Sequence, residues 1–349
     1  MKNNSFLYKS ILTSLLFISV CACSKDSSTE PRIDELKLNN AFSQADQFSG
    51  LKSLVVSKDG VIIKEQFWRT GGADKPHDVR SVTKTVMSLL IGIAIDKGYI
   101  QSADQTIGEY FQPIVTNLTE DKANIKIRDL LTMSSGFIWN ELTQDMEYYN
   151  WISSNNQVQY LFNRSLAAQP GQTFNYNTAA LHLLSVILTR ATNIKTEDFA
   201  KQYLFDQLGI KQNYWEKDRQ GYNNGGAGLN ITPHDMIKIG QLILNRGKFD
   251  GKQIVSPEWI DQSVAIQKST NNAQLYGPGY GYGLWIGQNE SGNYAFANGW
   301  GGQFIVIIPK LNLVVTATNN WSDIATINAN QNWYQTIDLI MTQIVPAFK

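Results

Sequence analysis

The sequence predicts a mixed α/β (α+β) fold, a central antiparallel sheet flanked by helices with an all-helical block inserted into it. Three observations predict this. Short apolar runs separated by turn residues occupy both ends of the chain. Helix-period apolar patterns fill the middle. The 349 residues suffice for one large or two modest domains with a real core.

The first 22 residues differ from the rest. Lys2 and Lys9 precede a run from Ile11 to Ala22 that is apolar apart from Thr13, Ser14 and Ser19. It is short for a bilayer span and fits the apolar region of a signal peptide. Val20-Cys21-Ala22-Cys23 ends it and looks like a bacterial lipoprotein cleavage box. That resemblance implies cleavage before Cys23, lipidation of Cys23 and a lipid-anchored place in the cell envelope. Residues 23–45 then read as a polar tether, and the domain is expected over 46–349. Both cysteines lie in the first 23 residues, so no thiol remains for a disulfide within the domain. Formal charge is balanced, with no basic stripe, which sets nucleic-acid binding aside. His77, His182 and His234 are scattered without carboxylates at ligand spacing, so no metal or cofactor is expected.

Within the domain, Leu54–Ser57 and Val61–Ile63 flank Lys58-Asp59-Gly60, a hairpin signal. A helix follows from about Ser81 to Lys97, stopped by Gly98, and apolar on nearly all faces. The stretch of about 101–225 reads as the helical insertion, with a long apolar helix over 178–193. Helices at 232–246 and 257–265 start on Thr-Pro and Ser-Pro. Strand patterns return at 281–286, 294–296, 304–308 and 313–318, and a helix over 336–344 closes the chain. The sheet part thus spans about 46–100 and 226–349.

Three features carry chemistry. In Ser81-Val82-Thr83-Lys84, spacing i to i+3 puts the lysine on the hydroxyl's face of the helix. Burial lowers a lysine's pKa and makes its amine available as a base. Ser49 and Lys52 share the spacing, but Ser49 lies in a surface loop before a strand. The second feature is Tyr176, in Pro170-Gly171-Gln172-Thr173-Phe174-Asn175-Tyr176-Asn177-Thr178, where a turn precedes an apolar helix. With a cation nearby its phenol could ionise and shuttle protons. The third is Gly299-Trp300-Gly301-Gly302, whose glycines let backbone approach a ligand and supply an oxyanion-binding N–H beside that of Ser81. Ser153-Ser154-Asn155 is an alternative to the second feature, without its turn-then-helix context.

In this order the three features resemble the class C β-lactamase and penicillin-binding-protein-like serine hydrolases. Residues 127–136 (IKIRDLLTMSSG), 225–229 (GGAGL), 247–259 (GKFDGKQIVSPEW) and 301–309 (GGQFIVIIP) look like that family too. The resemblance implies Ser81 as nucleophile, Lys84 as base and Tyr176 as second proton carrier. Two departures stand out. Thr178 occupies the position of the family's substrate-amide-binding Asn. Residues 297–300 (ANGW) carry no cation where β-lactamases have Lys-Thr-Gly. In motif the chain is nearest to 6-aminohexanoate-dimer hydrolases and β-lactamase-like carboxylesterases. The expectation is therefore an acyl-enzyme hydrolase of small-molecule or short-peptide esters or amides. A weak β-lactamase, a D-amino-acid peptidase and a non-catalytic binding protein are the alternatives.

Overall fold

The computed structural model describes residue 1 and residues 33–142, 145–211, 213–270, 276–322 and 328–348. The apolar run at the start and Cys23 lie outside the described residues.

The main sheet is antiparallel. Its strands are β1 Leu51–Lys58, β2 Val61–Phe67, β3 Lys268–Ser269, β4 Gly279–Tyr280, β5 Trp285–Asn289, β6 Gly292–Gly299, β7 Gln303–Ile308 and β8 Leu313–Asn319. They lie in the order β2-β1-β8-β7-β6-β5-β4-β3. The hairpin of β1 and β2 at the start of the chain thus pairs with the last strand, β8. That closure joins the two ends of the sequence and leaves the segment between them as an excursion. β7 and β8 are buried along their whole length. Their near-continuous apolar runs follow from cover on both faces, since neighbouring side chains point to opposite sides. Ile305 of β7 packs beneath helix α5 (Pro233–Leu244) at Gly240, whereas Phe304 meets Trp333 of helix α7 (Ala329–Leu339).

Helix α1, Glu35–Ala45, corrects the expected boundary of the tether. Leu38, Ala41, Phe42 and Ala45 are buried, and Asp34 caps the helix by accepting the Lys37 N–H. Asp34 also donates its own N–H to Ala347 near the C-terminus. The folded unit therefore includes residues 33–45 as well as those expected from 46 onward. Its C-terminal helix also starts at Ala329, several residues before the expected 336.

Helix α2, Thr83–Asp96, runs through the molecular centre and is buried from Thr83 to Ala94. Gly92 lets it pack close: a Cβ there would lie 2.4 Å from Trp259 of helix α6, Pro257–Ser263. The excursion supplies helix α3 (Asp145–Ile152) and helix α4 (Thr178–Thr192), the latter packed against α2. The N-termini of α2 and α4 meet beside the end of β6, and the candidate site lies there.

Candidate active site

Ser81 sits in a single 3-10 turn, Arg80–Val82, immediately before α2. The helix proper therefore starts two residues later than the sequence suggests. Arg80 takes a left-handed conformation, with φ of 50°, which is costly for a side-chain-bearing residue. Its surroundings hold it there. Asp78 Oδ1 accepts the Arg80 N–H at 2.8 Å, and Thr83 Oγ1 donates to the Arg80 carbonyl at 2.6 Å. The guanidinium stacks over Trp321 at 4.3 Å and pairs loosely with Asp78 at 3.5 Å. This sharp turn presents Ser81 at the start of the helix pair, where the first N–H groups have no intrahelical acceptor.

One turn on, Lys84 is 1% exposed. Its Nζ donates to Ser81 Oγ at 2.7 Å, Thr178 Oγ1 at 2.9 Å and Gly226 O at 2.7 Å. Burial pulls its pKa down to about 7, the Arg80 charge acts in the same direction, and Glu141 opposes both. A substantial fraction of Lys84 is thus a neutral amine at neutral pH, as a base for Ser81 requires.

Tyr176 joins them from the other side. The preceding Asn175 is clamped: its N–H donates to Met133 O at 2.6 Å, and its amide donates to Phe137 O at 3.2 Å and Trp139 O at 3.0 Å. The following Asn177 caps α4 by accepting the Ala180 N–H at 2.8 Å. Held between two fixed neighbours, the Tyr176 ring stacks on Trp285 and lies 4.9 Å from Lys84 Nζ, and the Ser81 side chain acts on its hydroxyl. Its environment corrects the expectation of a phenolate. Burial, and then the Glu141 charge, push its pKa up, outweighing the opposing effects of the Ser81 side chain and the Arg80 charge. Tyr176 rests as a neutral phenol, a proton donor.

Thr178 also departs from its expected place. It is the first residue of α4, 1% exposed, and its hydroxyl lies between Lys84 and Glu141 rather than in the cleft. Glu141 belongs to none of the motifs that the sequence displays. Its Oε1 accepts from Thr178 Oγ1 at 2.5 Å, and its Oε2 accepts the Thr178 N–H at 2.7 Å and Trp139 Nε1–H at 2.6 Å. Gly226, which the sequence marks only as part of a family-like segment, contributes the carbonyl on Lys84. Asn224 Oδ1 fixes its loop by accepting the N–H groups of Gly226 and Ala227 at 3.0 and 3.2 Å.

The glycine turn divides into two parts. β5 pairs with β6 only as far as Trp285 and Phe296. Residues 297–299 run on beside the Ser81 turn. A Cβ on Gly299 would lie 2.4 Å from the Val79 carbonyl oxygen, two residues before the serine. Trp300 is 47% exposed. Gly301 and Gly302, with φ of 74° and 95°, make the turn itself. Their missing side chains would meet Trp321 and Asn319, so they shape the backbone and do not line the site beside Ser81. The alternative Ser153–Asn155 lies elsewhere: Ser154 closes the end of α3 on Trp151 O, and Asn155 accepts from Arg219.

Comparison with known proteins identifies the family and the fold. The family described as Beta-lactamase matches residues 38–335. A 6-aminohexanoate-dimer hydrolase of Paenarthrobacter ureafaciens is 22% identical over 293 residues, covering 76% of this chain and 71% of that protein. Among solved structures, EstCE1, a hydrolase with promiscuous acyltransferase activity, superposes with a TM-score of 0.70 at 17% identity, over 88% of this chain and 98% of that one. The octameric penicillin-binding protein homologue from Pyrococcus abyssi gives 0.66 at 19% identity, over 89% and 77%. At these identities the structural likenesses show a shared fold.

Proposed function

The chain belongs to the beta-lactamase family of serine hydrolases, and from that premise we propose that it cleaves esters or linear amides through an acyl-enzyme on Ser81. The observation that carries this reading is the 2.7 Å contact between a buried lysine amine and the serine hydroxyl. Ser81 Oγ attacks the carbonyl carbon while its proton passes to Lys84. The N–H of Ser81 and one at residue 299 or 300 bind the oxyanion. Tyr176 gives its phenolic proton to the leaving oxygen or nitrogen and is refilled from the Lys84 ammonium. Water then attacks the acyl carbon, with the same groups working in reverse, and frees Ser81.

Substrate class follows from what surrounds the pair. Residues 297–299 bring no cation to clamp a carboxylate, the group a β-lactam presents. Leu142 and Trp300 are exposed beside Glu141 and Gly299, and Met146 is exposed on α3, whose Tyr148 ring lies 5.8 Å from the Arg80 guanidinium. These features favour uncharged, apolar acyl or leaving groups over β-lactams. A fluorophosphonate probe is expected to add its mass to the Ser81 peptide. p-Nitrophenyl esters or linear amide dimers are expected to turn over faster than nitrocefin. No label on Ser81 and no turnover of any of these substrates would sink the reading.

We further infer, from residues 1–23 of the sequence, that the protein is exported and anchored by lipid at Cys23 in a bacterial envelope. Labelled palmitate is expected to enter the wild type but not Cys23→Ala, which should leave the membrane fraction. Equal partitioning of the two would exclude the anchor.

A further inference from the structure

A neutral amine that takes the proton of Ser81 must aim its one lone pair at Ser81 Oγ. Lys84 Nζ has three partners, and the other two decide where the lone pair goes. Gly226 offers a carbonyl, which only accepts, so one N–H of the amine is committed there. Thr178 offers a hydroxyl, which could accept from the amine or donate into its lone pair. In the second arrangement Thr178 would compete with Ser81 for the base.

Glu141 removes that choice. Its carboxylate lies 2.5 Å from Thr178 Oγ1 and only accepts. The single Thr178 proton is committed to it, and Thr178 can then only accept from Lys84. Both protons of the neutral amine are assigned, and the lone pair faces Ser81. We propose that Glu141 is a positioning residue which, through the Thr178 hydroxyl, orients the lone pair of Lys84 toward the nucleophile. The inference rests on the reading of Ser81 as nucleophile and Lys84 as its base.

Electrostatics argue for the same role by contrast. The charges facing Lys84 are those of Arg80 and Glu141, with the Tyr176 phenol alongside and Asp78 and Tyr148 behind Arg80. The Glu141 charge favours the ammonium, so by charge alone it works against a neutral base. Its fixed place, with both oxygens hydrogen-bonded, is accounted for by direction rather than by charge.

Glu141→Gln separates the two. The amide oxygen can still accept from Trp139 Nε1–H and the Thr178 N–H. Its NH2 now donates to Thr178 Oγ1 and frees the hydroxyl proton to turn into the Lys84 lone pair. The plateau rate of Ser81 phosphonylation is expected to fall about a hundredfold, while its acid limb moves to lower pH because an anion has left. A purely electrostatic role predicts the opposite at pH 6, a faster rate. In a Thr178→Val background, which lacks the hydroxyl, the same change should cost less than about threefold. A Glu141→Gln plateau within threefold of wild type, or equal losses in both backgrounds, overturns the proposal. Should that variant not fold, Thr178→Ser and Thr178→Val carry the test. Ser is expected near the wild-type rate and Val about tenfold below it, and equal rates overturn the inference. Absence of label on wild-type Ser81 is a different failure: it removes the underlying reading and this inference with it.

Discussion

Lys84→Met is expected to lower the rate of Ser81 acylation by about four orders of magnitude. The replacement keeps nearly the same length and fills the same buried slot, so the loss is chemical. Neither of the two titratable groups beside it, Tyr176 and Glu141, can take over. Tyr176 is a neutral phenol held above its ordinary pKa by burial. Glu141 is separated from Ser81 by Thr178 and Lys84. In the wild type the rate should climb as pH passes about 7, where the ammonium of Lys84 gives up its proton. In the variant that limb should vanish. A variant that keeps one per cent of the rate, or keeps the limb, would show that another group is the base.

The same substitution has a stability signature of calculable sign. The Lys84 pKa is about 7 in the fold against an ordinary value of 10.5. Between those values the unfolded chain binds more protons than the native one, so stability rises with pH across that window. Below it, both states carry the proton and the fold bears the whole penalty of a buried cation. Lys84→Met removes that penalty. The Tm of the variant relative to wild type should therefore be highest near pH 6 and should decline toward pH 10. A difference that grows with pH would contradict the assignment of a buried, depressed lysine.

Sequence range decides which parts of this molecule are legible in the chain itself. Ser81 and Lys84 are three residues apart, and the sharp turn and apolar helix around them leave a local pattern. Tyr176 is marked by the turn before it and the helix after it. Glu141 has no such mark, since it acts on a residue 37 positions away. Gly226 acts on Lys84 across 142 positions through a main-chain carbonyl, which no side chain advertises. β7 and β8 show as apolar runs because both of their faces are covered. Helix α1 reads as tether because its exposed face is polar. Its buried Leu38, Ala41, Phe42 and Ala45 nonetheless recur at helical spacing, a signal that the polar composition hides. Thr178 misleads for a different reason: a matching position in a motif does not fix which way a short hydroxyl points.

Gly299→Ala tests the other half of the machinery. A methyl there would sit 2.4 Å from the Val79 carbonyl oxygen and 2.9 Å from the Gln303 Cβ. Neither can give way cheaply. The Val79 carbonyl closes the nucleophile turn by accepting the Val82 N–H at 3.1 Å, and the Val79 N–H is tied to Leu229 O at 2.9 Å. Gln303 is buried at the start of β7, with its side chain bonded to residues 300 and 319. Gly299 does not have a positive φ, so the cost is steric and not conformational. The end of β6 must move away from Ser81, widening the gap between the two oxyanion donors. Turnover should fall about a hundredfold to a thousandfold, the usual cost of losing one such donor. The Ser81–Lys84 pair is untouched by this change, so the acid limb should stay near pH 7 while the plateau drops. That pattern is the reverse of Lys84→Met, where the limb itself disappears. Full turnover in Gly299→Ala would show that the close approach of β6 to the serine turn serves packing alone.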